Sequence, residues 1–287
     1  MSERIGIAGL GRMGSAMVQR LASQGCQVAG WTRSGLAPDR AGALGITGCD
    51  TLHELAARSE IILLSLLDDA AVSAVLDQLF ECDLAGKLIA DTSTVAPDLL
   101  KTRTDAAALA GVTLMDAPIS GGPEMLLSGT AGVFVGGDDA GFARLKPVLD
   151  LISNRIHHVG ALGTGLSMKV VNNGLLQGMW ATLVDVVKIA KRSGLSLETT
   201  ITILAGGPAA NPMMVARVPK ILGQDPVVGF NIEGAVKDAE VFLQVARGLG
   251  LEVPVLSETR RMWLPSLSAG NGELDMAAII SKAYEDA

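Results

Sequence analysis

The sequence lacks most of the features that mark membrane, secreted and nucleic-acid-binding proteins. Charged residues make up only 18% of the 287 residues, and the 23 basic and 30 acidic side chains form no long block of one sign. We therefore expect no nucleic-acid partner. Apolar runs such as Ile61 to Leu67 stay far short of the roughly 20 residues that a membrane-spanning helix needs, so no membrane span is predicted. The start of the chain shows neither a charged leader nor an apolar signal core, which leads us to expect a cytoplasmic protein.

Cysteine and metal-binding patterns are scarce as well. The three cysteines, Cys26, Cys49 and Cys82, are odd in number and too widely spaced for a zinc knuckle or a Cys-x-x-Cys redox pair. We expect them to be reduced core residues. His157 and His158 lie beside a predicted strand and are interpreted as structural or solvent-facing residues, so no metal site is predicted.

Apolar residues, in contrast, make up 49% of the chain and follow two different patterns. Up to about residue 160, short β-type runs alternate with helical stretches, which is the pattern of parallel strands joined by crossover helices. From Leu166 to Arg192 there is no proline, and apolar residues occur nearly all round the helical wheel. We therefore predict an α/β N-terminal domain at 1–162 with a mostly parallel, doubly wound sheet, and an all-helical C-terminal domain at 163–287.

The boundaries of the predicted elements follow from these patterns and from the Gly, Asp, Ser and Pro clusters between them. The strands are expected at Arg4 to Ala8, Gln27 to Trp31, Ile61 to Leu66, Leu88 to Asp91, Thr113 to Asp116, Val133 to Val135 and Ile156 to Val159. The helices of the second half are expected at Leu166 to Arg192, Leu197 to Leu204, Val215 to Leu222, Glu233 to Leu249, Pro254 to Leu267 and Leu274 to Tyr284. The first of these helices should be buried all round, which predicts a homodimer or homotetramer built on the helical domain.

A glycine-rich segment follows the first predicted strand and opens a helix. Gly9-Leu10-Gly11-Arg12-Met13-Gly14 fits the Gly-x-Gly-x-x-Gly fingerprint of a dinucleotide-binding Rossmann domain. Gly9 permits a tight turn, Gly11 allows the backbone to approach a pyrophosphate, and Gly14 permits close packing of helix on strand. The six residues are therefore predicted to contact the cofactor through amides at the helix N-terminus.

The end of the second predicted strand indicates which dinucleotide binds. A carboxylate there would hydrogen-bond the ribose 2′-hydroxyl and repel a 2′-phosphate, but there is no Asp or Glu between Ser15 and Pro38. Thr32, Arg33 and Ser34 offer a guanidinium and two hydroxyls instead. We therefore predict that NADP(H) is preferred over NAD(H).

Two sets of residues are candidates for catalysis and substrate binding. Lys169, Asn172 and Asn173 are spaced i, i+3 and i+4, which places them on one face of a helix, with Gly165 one turn earlier leaving room for a close neighbour. A protonated lysine can give a proton to a carbonyl oxygen as hydride reaches the carbon, and the two amides can hold the substrate and orient the ammonium. The segment Ser120 to Gly122 follows a predicted strand and is either an amide cradle for a substrate carboxylate or a plain turn.

Four segments, taken in order, resemble the signatures of the β-hydroxyacid dehydrogenase family. They are Asp91-Thr-Ser93-Thr94-Val-Ala-Pro97, Asp116-Ala-Pro-Ile-Ser120-Gly121-Gly122, Gly163-Thr-Gly165-Leu-Ser-Met-Lys169-Val-Val-Asn172-Asn173 and Lys237-Asp238. The resemblance spans nearly the whole chain and implies NADP(H)-dependent interconversion of a small aldehyde or keto acid and its hydroxy acid. Asn211-Pro212-Met213 and Leu274-Asp275-Met276 favour the glyoxylate and succinic semialdehyde reductase branch.

The resemblance also assigns roles that cannot be inferred from the local pattern of the residues. It implies Lys169, Asn172 and Asn173 as catalytic residues, substrate contacts at Ser120, Gly121, Gly122 and Asn173, and further cofactor contacts at Leu66, Leu67, Ser93, Thr94, Phe230 and Lys237. Taken by itself, Lys237-Asp238 instead indicates an exposed charged pair. The chain departs from the family at Pro123-Glu-Met-Leu-Leu127, where small residues are common and an acidic residue is usual at the position of Leu127. This departure leaves the carboxylated substrate unidentified.

Two other functions fit parts of the same pattern. An imine reductase would have a closely similar fold and reduce C=N bonds with NADPH, but such enzymes typically lack a lysine at the position of Lys169. A protein that binds NADP without turnover would keep the glycine fingerprint and have no use for the lysine and asparagine set.

Overall fold

The computed structural model describes residues 3–287, which form two compact units that divide between Val171 and Asn172. The first unit contains all the strands found in the described residues, and the second is helical. This is the predicted fold class, an N-terminal Rossmann-type α/β region followed by an all-α region.

The strands of the first unit form one sheet, ordered β3-β2-β1-β4-β5-β6-β8-β7, with β9 paired to the free side of β8. Pairs from β3 to β6 are parallel, β8 runs antiparallel to β6 and β7, and β9 is parallel to β8. The strands are β1 Ile5–Ala8, β2 Val28–Trp31, β3 Thr47–Gly48, β4 Ile61–Leu64, β5 Leu88–Asp91, β6 Thr113–Asp116, β7 Ile119–Ser120, β8 Gly132–Gly136 and β9 Arg155–Gly160.

The central strands are short, continuous apolar runs because helices cover both faces of a parallel sheet. Every residue of β1, β2, β4 and β5 is buried. The helices of this unit are α1 Arg12–Ser23, α2 Pro38–Leu44, α3 Leu52–Arg58, α4 Asp69–Leu79, α5 Thr104–Leu109, α6 Pro123–Leu127 and α7 Asp139–Ile152, with a 3-10 turn at Lys101–Arg103. The carboxyl ends of β1, β2, β4, β5 and β6 lie at one edge, where such sheets bind ligands.

The helices of the remaining chain are α8 Thr164–Arg192, α9 Leu197–Gly206, α10 Pro212–Ile221, α11 Ile232–Gly248, α12 Pro254–Ser268 and α13 Ala277–Glu285. Helix α8 begins in the first unit and continues into the second. In the second unit, a buried cluster that includes Trp180, Val187, Ile232 and Trp263 forms the core. This cluster gathers residues from α8, α11 and α12, as expected for helices that each bury one apolar face.

Three details differ from the predicted elements. The two-residue strands β3 and β7 were not predicted, because two residues are too few to show an alternation pattern. The segment Leu274 to Met276 was predicted as helix but pairs with the start of α11 and the residues before it: Ile232 N donates to Leu274 O at 3.0 Å and Met276 N to Phe230 O at 3.0 Å.

The single chain leaves one face of α8 uncovered, so the predicted burial on all sides stays a prediction that depends on a second subunit. Leu175 and Ile189 are 69% and 65% exposed, and their spacing of two heptads places them on the same side of the helix. The apolar pattern identified the helix correctly, but the chain itself covers only part of its surface.

Candidate active site

The glycine-rich loop between β1 and α1 has the geometry of a pyrophosphate cradle. Gly9 has φ +102°, in the region that favours glycine, and a Cβ there would collide with the carbonyl oxygen of Ser65. A Cβ on Gly14 would collide with the carbonyl oxygen of Gly9, whereas a Cβ on Gly11 would have no neighbour within 4 Å. Gly9 and Gly14 therefore allow tight packing, and open space lies above Gly11 at the N-terminus of α1. These residues fit a bound dinucleotide.

The ends of β4 and β5 bring two of the predicted cofactor residues together. Leu66 N donates a 2.9 Å hydrogen bond to Ser93 Oγ, and Ser93 N donates to Asp91 Oδ1 at 2.9 Å. Burial raises the pKa of Asp91 to about 6, and its Oδ2 has no hydrogen-bond partner among the described residues. Leu67 is exposed and Thr94 is half-buried beside this pair. A buried carboxyl thus fixes the loop that carries Ser93.

The turn after β2 carries the residues predicted to contact the adenosine ribose. Thr32 is half-buried, and Arg33 and Ser34 are exposed. Arg40, which sequence reasoning missed, donates from Nη2 to the carbonyl oxygen of Leu10 at 2.6 Å. Its guanidinium is therefore held against the glycine-rich loop. An arginine in the helix after β2 was the only available signal, and its direction could not be inferred from spacing.

A buried carboxylate attaches the start of α8 to the end of β6. Asp116 accepts hydrogen bonds from Gly163 N through Oδ1 and from Leu166 N through Oδ2, both at 2.7 Å. Burial raises the pKa of Asp116, and these backbone hydrogen bonds oppose the rise. A Cβ on Gly165 would lie 2.8 Å from Asp116 Oδ2. The predicted close approach at Gly165 is therefore made by Asp116, which positions the helix that carries Lys169.

Lys169 is only 6% exposed, and its Nζ donates a hydrogen bond to the carbonyl oxygen of Ile119. Ile119 directly precedes Ser120, so the ammonium lies beside the segment predicted to hold a carboxylate. Asn172 and Asn173 follow on the same helix, but in the second unit, and Asn172 Nδ2 donates to Asn173 Oδ1 at 2.9 Å. A buried ammonium that must be held by oxygen acceptors is suited to donate a proton.

The predicted anion cradle consists of the end of β7 and the residues that precede α6. Ser120 pairs with Gly132 of β8, and Gly121 has φ +136°, which favours glycine. Within residues 3–287, neither Gly121 N–H nor Gly122 N–H donates a hydrogen bond to another group of the chain. Two adjacent amides without an internal acceptor are available to an anion.

The second unit holds the remaining predicted cofactor residues. Phe230 N donates to Asp275 Oδ2 at 3.1 Å, and Asp275 is also paired with the buried guanidinium of Arg217 at 2.8 Å. Lys237 Nζ lies 3.0 Å from Asp238 Oδ1. The expectation of an exposed pair was wrong, because Asp238 is only 4% exposed and lies on the buried face of α11.

Within residues 3–287, no three His, Cys, Asp or Glu side chains are grouped as metal ligands would be. No helix described there combines the length and apolar character needed to cross a bilayer.

Comparison with known proteins identifies the family. Residues 4–160 match the model described as the NAD binding domain of 6-phosphogluconate dehydrogenase, and residues 163–283 match that described as NAD-binding of NADP-dependent 3-hydroxyisobutyrate dehydrogenase. The 2-(hydroxymethyl)glutarate dehydrogenase of Eubacterium barkeri is 31% identical, covering 99% of this chain and 95% of the relative. Glyoxylate/succinic semialdehyde reductase 1 of Arabidopsis thaliana is 28% identical, covering 96% of each.

A solved structure agrees with these matches. The Mycobacterium tuberculosis 3-hydroxyisobutyrate dehydrogenase with L-serine has 26% identity and a TM-score of 0.84, covering 98% of this chain and 99% of that one. Relatives that differ in substrate match almost equally well, so the branch within the family stays a prediction. The chain belongs to the β-hydroxyacid dehydrogenase family, the NAD(P)-dependent oxidoreductases that act on small hydroxy acids.

Proposed function

We propose that the protein interconverts a small aldehyde or keto acid and its hydroxy acid with NADP(H), and that Lys169 is the general acid in reduction and the general base in oxidation. The observation that carries this proposal is the buried Lys169 ammonium, hydrogen-bonded to Ile119 O beside the two available amides of Gly121 and Gly122. Proton donor and anion cradle thus lie next to each other, as reduction of a carboxylated carbonyl requires.

Each group has a separate task in this proposal. A bound reduced nicotinamide supplies the hydride. Gly121 and Gly122 bind the substrate carboxylate, with Ser120 beside them, and Asn172 and Asn173 hold the substrate and orient the ammonium. Lys169 transfers a proton to the carbonyl oxygen, so that no free alkoxide accumulates. In the reverse direction the same nitrogen accepts the hydroxyl proton.

The cofactor preference rests on the turn after β2. Arg33 lies in a stretch without acidic residues, and Arg40 is held against Leu10 of the glycine-rich loop, so that two guanidinium groups are available near the expected ribose. We infer that they bind the 2′-phosphate of NADP(H), with Thr32 and Ser34 as hydroxyl donors. Phe230 and Lys237 are inferred to border the nicotinamide.

The exposed face of α8 supports a homodimer or homotetramer. Leu175 and Ile189 are large apolar side chains on one side of a long helix, a pattern typical of a surface covered by a second subunit. In this proposal residues 1–162 are the NADP-binding domain, and residues 163–287 are the helical substrate and oligomerisation domain.

Replacement of Lys169 tests the central assignment. Losing a positioned general acid typically costs about 10² to 10⁴ in rate, so Lys169→Ala should lower kcat by that order while the Kd for NADPH stays nearly unchanged. Lys169→Arg should rescue poorly, because a guanidinium is a much weaker proton donor.

The matched control is Lys188→Ala, which removes an exposed lysine from the same helix and should leave kcat unchanged. A folded Lys169→Ala protein that retains more than about a tenth of the parental kcat would exclude the general-acid role.

A further inference from the structure

We propose that Arg217 and Asp275 are positioning residues for cofactor binding, because together they hold the backbone that carries Phe230. The inference rests on the proposed function, in which Phe230 is inferred to border the nicotinamide. It adds two residues, far from Phe230 in sequence, that the proposed function leaves without a role.

The Asp275 carboxylate accepts five hydrogen bonds from three parts of the second unit. Its Oδ2 accepts from Gly229 N at 2.9 Å and from Phe230 N at 3.1 Å, in the chain before α11. Its Oδ1 accepts from Ala277 N at 3.0 Å, at the start of α13. Arg217 Nη1 of α10 donates to both oxygens, at 2.9 and 2.8 Å. One carboxylate thus joins α10 and α13 to the backbone of Phe230.

The ion pair between Arg217 and Asp275 is shielded from water. The Arg217 side chain is 4% exposed and that of Asp275 is 11% exposed. A buried ion pair contributes little to the stability of a fold, because the desolvation of both charges offsets their attraction. Its directional hydrogen bonds, in contrast, fix where the bound backbone groups lie. The pair is therefore better suited to position Gly229 and Phe230 than to add stability.

A second cation of α10 holds the other end of the same segment. Lys220 lies three residues after Arg217, so both side chains project from one side of the helix. Lys220 Nζ donates to Asp225 Oδ2 at 2.6 Å and to Val227 O, and Asp225 Oδ1 accepts from Val227 N at 2.9 Å. The segment 225–230 is thus tied to α10 at both ends.

The Phe230 ring lies against the first turn of α11. A Cβ built on Gly234 would lie 3.0 Å from Phe230 Cε2, so the glycine leaves room for the ring. Lys237, the other residue inferred to border the nicotinamide, follows one turn after Gly234. Phe230 N donates to Asp275 Oδ2, and Phe230 O accepts from Met276 N at 3.0 Å. A shift of Asp275 would therefore move the ring relative to Lys237.

The two sequence segments that favour one branch of the family meet in this network. Arg217 Nε donates to the sulfur of Met213, in Asn211-Pro212-Met213, at 3.3 Å. Asp275 is the central residue of the other segment, Leu274-Asp275-Met276. Asn211 also accepts from Met214 N at 2.9 Å as the N-cap of α10. Both segments thus have one physical task, which is to hold α10 and Asp275 in place for Phe230.

Calorimetric titration with NADPH and 2′,5′-ADP tests the inference without any substrate. Asp275→Asn keeps the size of the side chain but replaces one acceptor oxygen by a donor. Its affinity for NADPH should fall about 3- to 10-fold, as expected for one displaced aromatic contact, while that for 2′,5′-ADP, which lacks the nicotinamide, should stay within about twofold of the parent. Glu258→Gln, which removes an exposed ion pair of α12, is the control and should change neither.

A double-mutant cycle shows whether Asp275 acts through Phe230. Phe230→Ala should weaken NADPH binding by a similar factor. Adding Asp275→Asn to it should weaken binding less than about twofold further, because the ring that Asp275 positions is already gone. Arg217→Lys, which keeps the charge but lacks the planar fork of the guanidinium, should lie between the parent and Asp275→Asn in NADPH affinity.

Equal weakening of NADPH and 2′,5′-ADP binding, or full additivity in the double variant, overturns the inference, because either result indicates a structural role alone. A folded Asp275→Asn protein with the parental affinity for NADPH overturns it as well. The same criteria apply to Arg217→Lys should Asp275→Asn not fold. Unchanged NADPH binding in Phe230→Ala overturns both the inference and the inferred place of Phe230, and leaves the role of Lys169 intact. The proposed reaction fails on a different measurement, if no carbonyl acid oxidises NADPH.

Discussion

The two arginines after β2 differ in how they are held. Arg33 is exposed on the turn, whereas Arg40 is fixed by its hydrogen bond to Leu10 O. Because a guanidinium that is already in place loses less conformational freedom on binding a phosphate, Arg40 should contribute at least as much as Arg33.

Cofactor binding to variants of these arginines measures their roles. Arg40→Ala should weaken NADPH binding by about tenfold or more and leave NADH binding nearly unchanged, as expected when one charge-assisted contact to a phosphate is lost. Arg33→Asp should erase or reverse the preference, because it replaces attraction by repulsion.

Fluorescence titration with NADPH, NADH and 2′,5′-ADP gives the three dissociation constants. Arg261→Ala, which removes an exposed arginine of α12, is the control. Equal affinity of the parent protein for NADPH and NADH would contradict the assignment of the turn.

The role of a single residue could be predicted from the sequence only where it follows from the spacing of neighbouring residues. Gly9, Gly11 and Gly14 lie in a fixed pattern after a strand, so their packing could be predicted. Asp116 and Arg40 could not be assigned, because their partners, Gly163 and Leu10, are distant in sequence and only the folded chain brings them close.

At the scale of elements, the junction between β6 and α8 decides where Lys169 lies. Asp116 accepts backbone N–H groups from the first turn of α8, a position where negative charge is favoured, and this contact needs a residue without a side chain at Gly165. Displacing the start of the helix would move the lysine nitrogen along with it.

Two glycine-to-alanine substitutions test this junction. Gly165→Ala should lower the free energy of unfolding by about 1 to 3 kcal/mol and reduce kcat, because its methyl group overpacks against Asp116 and Phe134 O. Gly42→Ala in α2, where a Cβ would have no neighbour within 4 Å, should instead stabilise the protein by about 0.5 to 1 kcal/mol.

Urea denaturation of both variants and the parent gives these free energies. A Gly165→Ala protein as stable and active as the parent would show that the close approach of Asp116 is not required.

Elements were predicted where a long pattern specifies them and missed where tertiary contacts do. All seven predicted strands are present, two with the predicted bounds and five with shifted ends, and all but the half-exposed β9 are mostly buried. The helix predicted from Leu274 begins instead at Ala277, because Asp275 accepts N–H groups of Gly229 and Phe230 and pairs with Arg217. Such contacts override local helix propensity.

At the scale of the whole molecule, two reductions remain to be compared, those of C=O and of C=N. The fold supports both, and the family is shown by sequence over nearly the full chain. We favour carbonyl reduction because Lys169 is buried and hydrogen-bonded to Ile119 O, and because we propose it as the group that gives a proton to oxygen.

The most direct test is therefore the rate of NADPH oxidation, followed by absorbance, with a panel of aldehyde acids, keto acids, their methyl esters and cyclic imines. We expect one or more carboxylated carbonyl compounds to be reduced, and to be reduced faster than their esters. Cyclic imines should be reduced at least about a hundredfold more slowly, since we propose that Lys169 protonates oxygen. Preferred reduction of cyclic imines, or no oxidation of NADPH with any carbonyl acid, would contradict it.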